Sequence, residues 1–219
     1  MKKIAILAGG TGGHIFPAEA LLHYLQGSSH QVRFFTDERY LKYKSPLPEN
    51  YIIIKSSSFS MRRLWSCCYR NIIGLIQIIR HFLTWKPNYV ISFGGYCAAP
   101  GLVAAKLLNI KIILIEGNAC MGRVNRLLAF SAKNIFVNMP LVNATSSWRN
   151  KIQIIGAILK PEIYNIKSYV ELANEQIEIL VTGGSQASRV MSNLVPEAIK
   201  LLPIYLRQKI HMSHYLVCR

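Results

Sequence analysis

Two hydrophobic patterns alternate along the chain: short unbroken apolar runs, and longer stretches in which apolar residues recur every three or four positions. Ile4–Ala8 is a run of the first kind and ends at Gly9-Gly10. Its lack of polar alternation describes a strand covered on both faces. A helix is predicted from His14 or Phe16 to Leu25, followed by strands at Val32–Thr36 and Tyr51–Ile54. A long helix fits Met61 to Leu83. Strand Tyr89–Ser92 leads into Gly94-Gly95, and helix Pro100–Leu108 carries a proline near its start, where the missing N–H costs nothing. Strand Lys111–Ile115, a helix near 122–132, and strands Asn134–Val137 and Ile152–Ile155 complete the series. Strands alternating with helices predict an α/β fold with a doubly wound parallel sheet.

Near residue 160 the pattern changes. Lys160 to Gln176 is polar and weakly periodic. A strand at Ile177–Val181, the glycines Gly183-Gly184 and a helix from Ala187 to Leu202 then restart the strand–glycine–helix unit. Residues 1–160 are expected to form one Rossmann-like domain and 161–176 a linker. Residues 177–219 are expected to open a second, incomplete domain, being too few for one of usual size.

Composition narrows the class. The chain has 219 residues, 51% of them hydrophobic, which excludes disorder. Its five cysteines (67, 68, 97, 120 and 218) are odd in number and form no CxxC pair, so reduced thiols in a cytosolic compartment are expected. No stretch reaches the roughly 18 apolar residues of a spanning helix. The N-terminal apolar run is too short for a signal peptide. Twenty-six Lys and Arg face ten Asp and Glu, a net charge of +16. Between Glu49 and Glu116 no acidic residue occurs, while Arg62, Arg63, Arg70 and Arg80 do. Such a field attracts polyanions, whether nucleic acid, anionic lipid or phosphorylated ligands.

Candidate chemistry gathers at three strand–glycine–helix junctions: GGTGGH at 9–14, GGY at 94–96 and GGSQ at 183–186. Glycine lets a backbone approach a ligand, and the helix that follows offers N–H groups and a positive dipole end, so a phosphate or diphosphate is the expected ligand. No Walker A lysine follows any of them. The third glycine of a dinucleotide fingerprint is replaced by Ile15, although Asp37 after the second strand imitates a ribose-binding acid. His14, closing the first loop, either hydrogen-bonds that loop or serves as a general base.

The segments KIAILAGGTGGHIFPAEAL, ISFGGYCAAPGLVAA, IEGNACMGRVNRLLA and LVTGGSQASRV occur in the order found in the MurG family of peptidoglycan glycosyltransferases, which the chain resembles from Lys2 to about Leu202. The resemblance implies a GT-B fold of two Rossmann-like domains. It implies transfer of N-acetylglucosamine from UDP-N-acetylglucosamine to undecaprenyl-diphosphate-linked N-acetylmuramoyl-pentapeptide, with inversion and without cofactor or metal. His14 matches a base candidate, with Glu116 second. Thr11, Gly12, Gly13, Asn118, Lys160, Ser185 and Gln186 match donor contacts. Gly9, Gly10, Gly94, Gly95, Tyr96 and Asn125 match the acceptor side. The family's membrane-bound acceptor implies that the basic helix region meets an anionic membrane surface through Leu64, Trp65, Ile72, Ile76 and Ile79. It also implies peripheral attachment to the cytoplasmic face of the bacterial inner membrane, with no nucleic acid as partner.

Several positions depart from the family. Ile115-Glu116-Gly117-Asn118 stands for His-Glu-Gln-Asn, and Lys160 for an arginine, losing the bidentate fork. Ala187 replaces a glycine and Ser192 an asparagine. Residues 211–219 do not resemble the family, and His211 and His214 lack a third partner for a metal. Most of the donor domain has no counterpart here, so a fragment with impaired or no activity is expected. A non-catalytic lipid-diphosphate-binding module, a decayed gene product and another GT-B glycolipid glycosyltransferase are the alternatives.

Overall fold

Buried on both faces, strand β1 (Lys3–Leu7) shows why its sequence is apolar throughout. Ile4 and Ile6 point into one core, and Ala5 and Leu7 into another on the opposite side of the sheet. The computed structural model describes residues 1–42, 49–57, 64–165, 177–182 and 189–215, and the chain divides into two compact units, Met1–Tyr164 and Asn165–Arg219.

The first unit adds strands β2 (Gln31–Thr36), β3 (Tyr51–Ile53), β4 (Tyr89–Ser92), β5 (Lys111–Glu116), β6 (Asn134–Val137) and β7 (Ile152–Ile154). All seven are parallel, in the order β3-β2-β1-β4-β5-β6-β7. The order reverses between β1 and β4, which opens a crevice beyond their C-terminal ends. Helix α1 (Gly12–Gln26) belongs to the smaller core with Ile15, Ala18 and Leu22. Helices α2 (Leu64–Trp85) and α3 (Ala98–Leu107) belong to the larger one, with Ile78, Phe82 and Leu102. Two short helices follow, α4 (Arg123–Leu128) and α5 (Ser146–Arg149).

Element ends differ from expectation for local reasons. Helix α1 begins at Gly12, with Thr11 extended at its cap and the Thr11 carbonyl accepting from the amides of His14 and Ile15. His14 therefore lies in the first helical turn. Helix α2 runs on to Trp85, which is buried, and stops where Lys86 turns left-handed (φ 52°) ahead of Pro87. Glu19 on α1 accepts from the hydroxyls of Tyr40 and Tyr51, fastening α1 to the β2–β3 edge. Burial raises both phenols, Tyr51 to about 12, so they remain donors.

Helix α2 has two apolar faces. Cys67, Gly74, Ile78, Phe82 and Trp85 face inward. Trp65, Tyr69, Ile72, Ile76 and Leu83 are exposed, Trp65 by 89%. Ile79, expected among the exposed residues, instead packs against the core. The side chain of Leu64 lies outside the described residues. The inward face clamps the segment after β3. Asn71 exchanges hydrogen bonds with the backbone of Ser57, and Gln77 accepts from the Lys55 amide. Gly74 sits between them where a Cβ would overlap the Lys55 carbonyl oxygen.

In the second unit, β8 (Ile177–Thr182) pairs in parallel with β9 (Ile210–Tyr215), and helices α6 (Arg189–Lys200) and α7 (Ile204–Arg207) lie between them in sequence. The region read as an unrelated tail thus contributes a strand. Pro161–Asn165, read as linker, form a 3-10 turn.

Gly74→Ala is expected to destabilise the chain by about 2 kcal/mol or more, because a backbone carbonyl cannot give way as a side chain can. Thermal unfolding should show a fall of several degrees, whereas Gly27→Ala, with only an ordinary contact at the α1 terminus, should change little.

Candidate active site

The three β-strands nearest the reversal each deliver a loop to the same crevice. After β1, Gly9 packs so tightly that a Cβ would overlap Cys97 Sγ and press on Asp37 Oδ2. Gly10 takes φ +92° beside the Arg39 guanidinium. After β4, Gly94 and Gly95 take φ +90° and +80°, a region that disfavours any Cβ. A side chain on Gly95 would overlap the Gly9 carbonyl, so the first two loops meet backbone to backbone. The His14 ring packs over this contact. Its Cε1 and Cδ2 lie 3.5 and 3.6 Å from where Gly94 and Gly95 would carry a Cβ.

The third loop, after β5, is organised by Glu116. Its side chain is buried, and the residue is 1% exposed. One carboxylate oxygen accepts from the Asn118 amide (3.2 Å) and Asn118 Nδ2 (3.0 Å). The other accepts from the Gly122 amide (3.0 Å) and Asn125 Nδ2 (3.3 Å). Asn125, equally buried, accepts at Oδ1 from Ser92 Oγ (2.9 Å), and Ser92 Oγ accepts from the Gly94 amide (3.1 Å). One continuous network therefore ties the second loop to the third. Glu116, the second base candidate, thus already accepts four hydrogen bonds that hold the third loop together.

His14 forms part of two clefts. One, of about 210 Å³, includes Thr11, Gly13, Phe93, Asn118 and Asn138. The other, of about 270 Å³, includes Gly94, Gly95, Tyr96, Arg123 and Asn125. Together they account for most of the expected site residues. Lys160 is placed elsewhere. Its ammonium lies 5.6 Å from the Phe16 ring centroid, and it lines a separate cleft with Glu19 and Glu162. Ser185 and Gln186 lie outside the described residues.

Two further polar groups near the loops are taken up in packing. Asp37 is buried and engaged by Arg39 through Nε (2.9 Å) and Nη2 (2.6 Å), so its carboxylate is held by a guanidinium instead of being offered to a ribose. The Cys97 thiol is buried under Gly9, and burial raises its pKa, which suits a filler and not a nucleophile. Sequence reasoning missed Ser92, Arg123 and Asn138. Ser92 looks like the end of an apolar strand, Arg123 is one cation among many, and Asn138 carries no motif.

The comparisons with known proteins fit this geometry. A family model described as the glycosyltransferase family 28 N-terminal domain matches residues 4–137. A relative from Nitrobacter winogradskyi, named UDP-N-acetylglucosamine--N-acetylmuramyl-(pentapeptide) pyrophosphoryl-undecaprenol N-acetylglucosamine transferase, is 34% identical over 219 residues, covering 96% of this chain and 59% of the relative. A Rickettsia bellii relative of the same name is 33% identical, covering 92% and 58%. The crystal structure of Acinetobacter baumannii MurG superposes with a TM-score of 0.69 at 23% identity, covering 98% of this chain and 66% of that one. That likeness shows the same GT-B architecture. The chain spans less than two thirds of the length of the curated relatives it matches.

Glu116→Gln replaces an acceptor oxygen by an NH₂ that faces donors. It should cost about 1–3 kcal/mol and loosen the third loop. Amide hydrogen exchange checks this: Asn118 and Gly122 should lose protection while β1 keeps its own.

Proposed function

The chain belongs to glycosyltransferase family 28, and from that premise we propose that it supplies the acceptor-binding, base-bearing part of an inverting peptidoglycan N-acetylglucosaminyltransferase. The donor is UDP-N-acetylglucosamine and the acceptor is N-acetylmuramoyl-pentapeptide on undecaprenyl diphosphate. The observation that carries this reading is the position of His14 on the wall shared by two clefts at the sheet reversal. Imidazole titrates near neutrality, so a histidine between two bound substrates suits proton transfer.

In this mechanism His14 takes the proton from the C4 hydroxyl of the muramoyl sugar. The freed oxygen forms a bond to the anomeric carbon of N-acetylglucosamine as the bond to UDP breaks, inverting that centre. UDP leaves with the bonding electron pair. Gly94 and Gly95 bring backbone close to the acceptor diphosphate without a Cβ in the way. The Glu116 clasp fixes Asn118 at the first cleft and Asn125 at the second.

A lipid-linked acceptor must be met at a membrane. The exposed stripe Trp65, Tyr69, Ile72, Ile76 and Leu83 advances by helical steps along α2, and Arg70 and Arg80 lie on the same helix. No described helix is long and apolar enough to cross a membrane. A surface helix with an exposed apolar stripe and basic neighbours supports peripheral attachment to anionic lipid.

Titration with undecaprenyl-diphosphate-linked muramoyl-pentapeptide in detergent micelles tests the reading without requiring turnover. Saturable binding is expected; its absence overturns the proposal. Grafting residues 1–164 onto the remainder of the Nitrobacter winogradskyi relative tests the base. His14→Ala in that chimera should lower kcat by about 100-fold or more with KM little changed. Normal turnover excludes His14 as base.

Binding to vesicles containing phosphatidylglycerol should weaken as salt rises, and Trp65→Ala should weaken it further. Salt-independent binding removes the electrostatic part of this account.

A further inference from the structure

Arg123 is the one cation lining the second cleft among the described residues that is permanently charged, and nothing in the family resemblance assigned it a role. The side chain is exposed, and no acidic partner engages it among the described residues. Its backbone is nevertheless fixed on both sides. The preceding Gly122 amide is committed to Glu116 Oε2, and Asn125, two residues on, is buried in the Ser92–Glu116 network. Val124 packs against the larger core. The start of α4 is thus held on either side of Arg123, whose own side chain is exposed.

We propose that Arg123 grips the diphosphate of the lipid-linked acceptor in the second cleft and makes that cleft prefer a diphosphate to a monophosphate. The proposal rests on the acceptor-binding reading above. A guanidinium offers a planar fork of donors that matches the oxygens of a phosphoryl group, and it keeps its charge at every physiological pH. Gly94 and Gly95, which present no side chain, line the same cleft. The other charged group in the lining, Glu116, is almost wholly buried and already accepts from Asn118, Gly122 and Asn125. Its repulsion toward an anion is therefore muted, while the Arg123 charge meets the ligand directly. A diphosphate spans more of the cleft than a monophosphate and brings a second charge within reach of the same guanidinium.

Isothermal titration of the full chain with inorganic pyrophosphate and with orthophosphate tests this, using wild type, Arg123→Ala, Arg123→Lys and Lys111→Ala. Lys111 lies at the other end of the sheet, at the start of β5, and serves as the control for general basicity. Pyrophosphate is expected to bind more tightly than orthophosphate. Arg123→Ala should weaken pyrophosphate binding by about tenfold or more, Arg123→Lys by less, and Lys111→Ala should leave it unchanged. Equal pyrophosphate affinity in wild type and Arg123→Ala overturns the proposal, as does wild type that binds no pyrophosphate. Circular dichroism of each variant confirms folding, and the lysine variant provides a second, conservative probe of the same site. The acceptor titration separates the two claims. Acceptor binding that ignores Arg123→Ala leaves the general reading intact and removes this residue's role. Pyrophosphate binding that needs Arg123 in a chain with no affinity for the acceptor supports the anion site and removes the general reading.

Discussion

Where the sheet reverses, Gly95 lies so close to the Gly9 carbonyl that no side chain fits between them. This backbone contact governs the rest of the site. It brings the ends of β1 and β4 together and sets the first turn of α1 against the second loop. It also leaves a floor beneath the His14 ring, which lies where a side chain on Gly94 or Gly95 would touch it. A Cβ at either Gly9 or Gly95 would push the loops apart and carry His14 with them. The left-handed backbone at Gly94 and Gly95 belongs to the same constraint, since it turns the chain back toward β1 directly after Phe93.

A second layer of polar groups holds the third loop to the second. The order Gly94 amide, Ser92, Asn125, Glu116 and Gly122 amide makes a hydrogen-bonded chain from β4 to the start of α4. Burying a carboxylate is costly unless its oxygens are satisfied. Here they accept from four donors, and the cost is offset by fixing the residues that line both clefts.

Much of this architecture was legible in the sequence. Unbroken apolar runs identified the strands because a doubly covered parallel sheet buries both faces, as β1 does with Ile4 and Ile6 on one side and Ala5 and Leu7 on the other. The glycine junctions located the crevice, since few other residues permit such close loops. What could not be read was the side-chain pairing. Asp37 has the spacing of a ribose-binding acid, yet Arg39, only two residues on, turns back onto its carboxylate. Lys160 is expected from the family resemblance at a donor contact, and only the fold shows its ammonium over the Phe16 ring. The inward and outward faces of α2 are both apolar, so periodicity alone does not separate Ile79, packed on the core, from Ile76, exposed. Arg123 lies within the IEGNACMGRVNRLLA segment, but only the fold shows that it lines the second cleft.

The proposed function has the acceptor diphosphate bound beside His14, between the second and third loops. Recording the amide spectrum of isotope-labelled protein while adding undecaprenyl-diphosphate-linked muramoyl-pentapeptide in micelles tests this directly. The amides of His14, Gly94, Gly95, Tyr96 and Arg123 are expected to shift together and saturate at one common concentration. Shifts confined to the opposite end of the sheet, around Lys2, Lys86 and Lys111, or the absence of saturable shifts at the glycine loops, would contradict it.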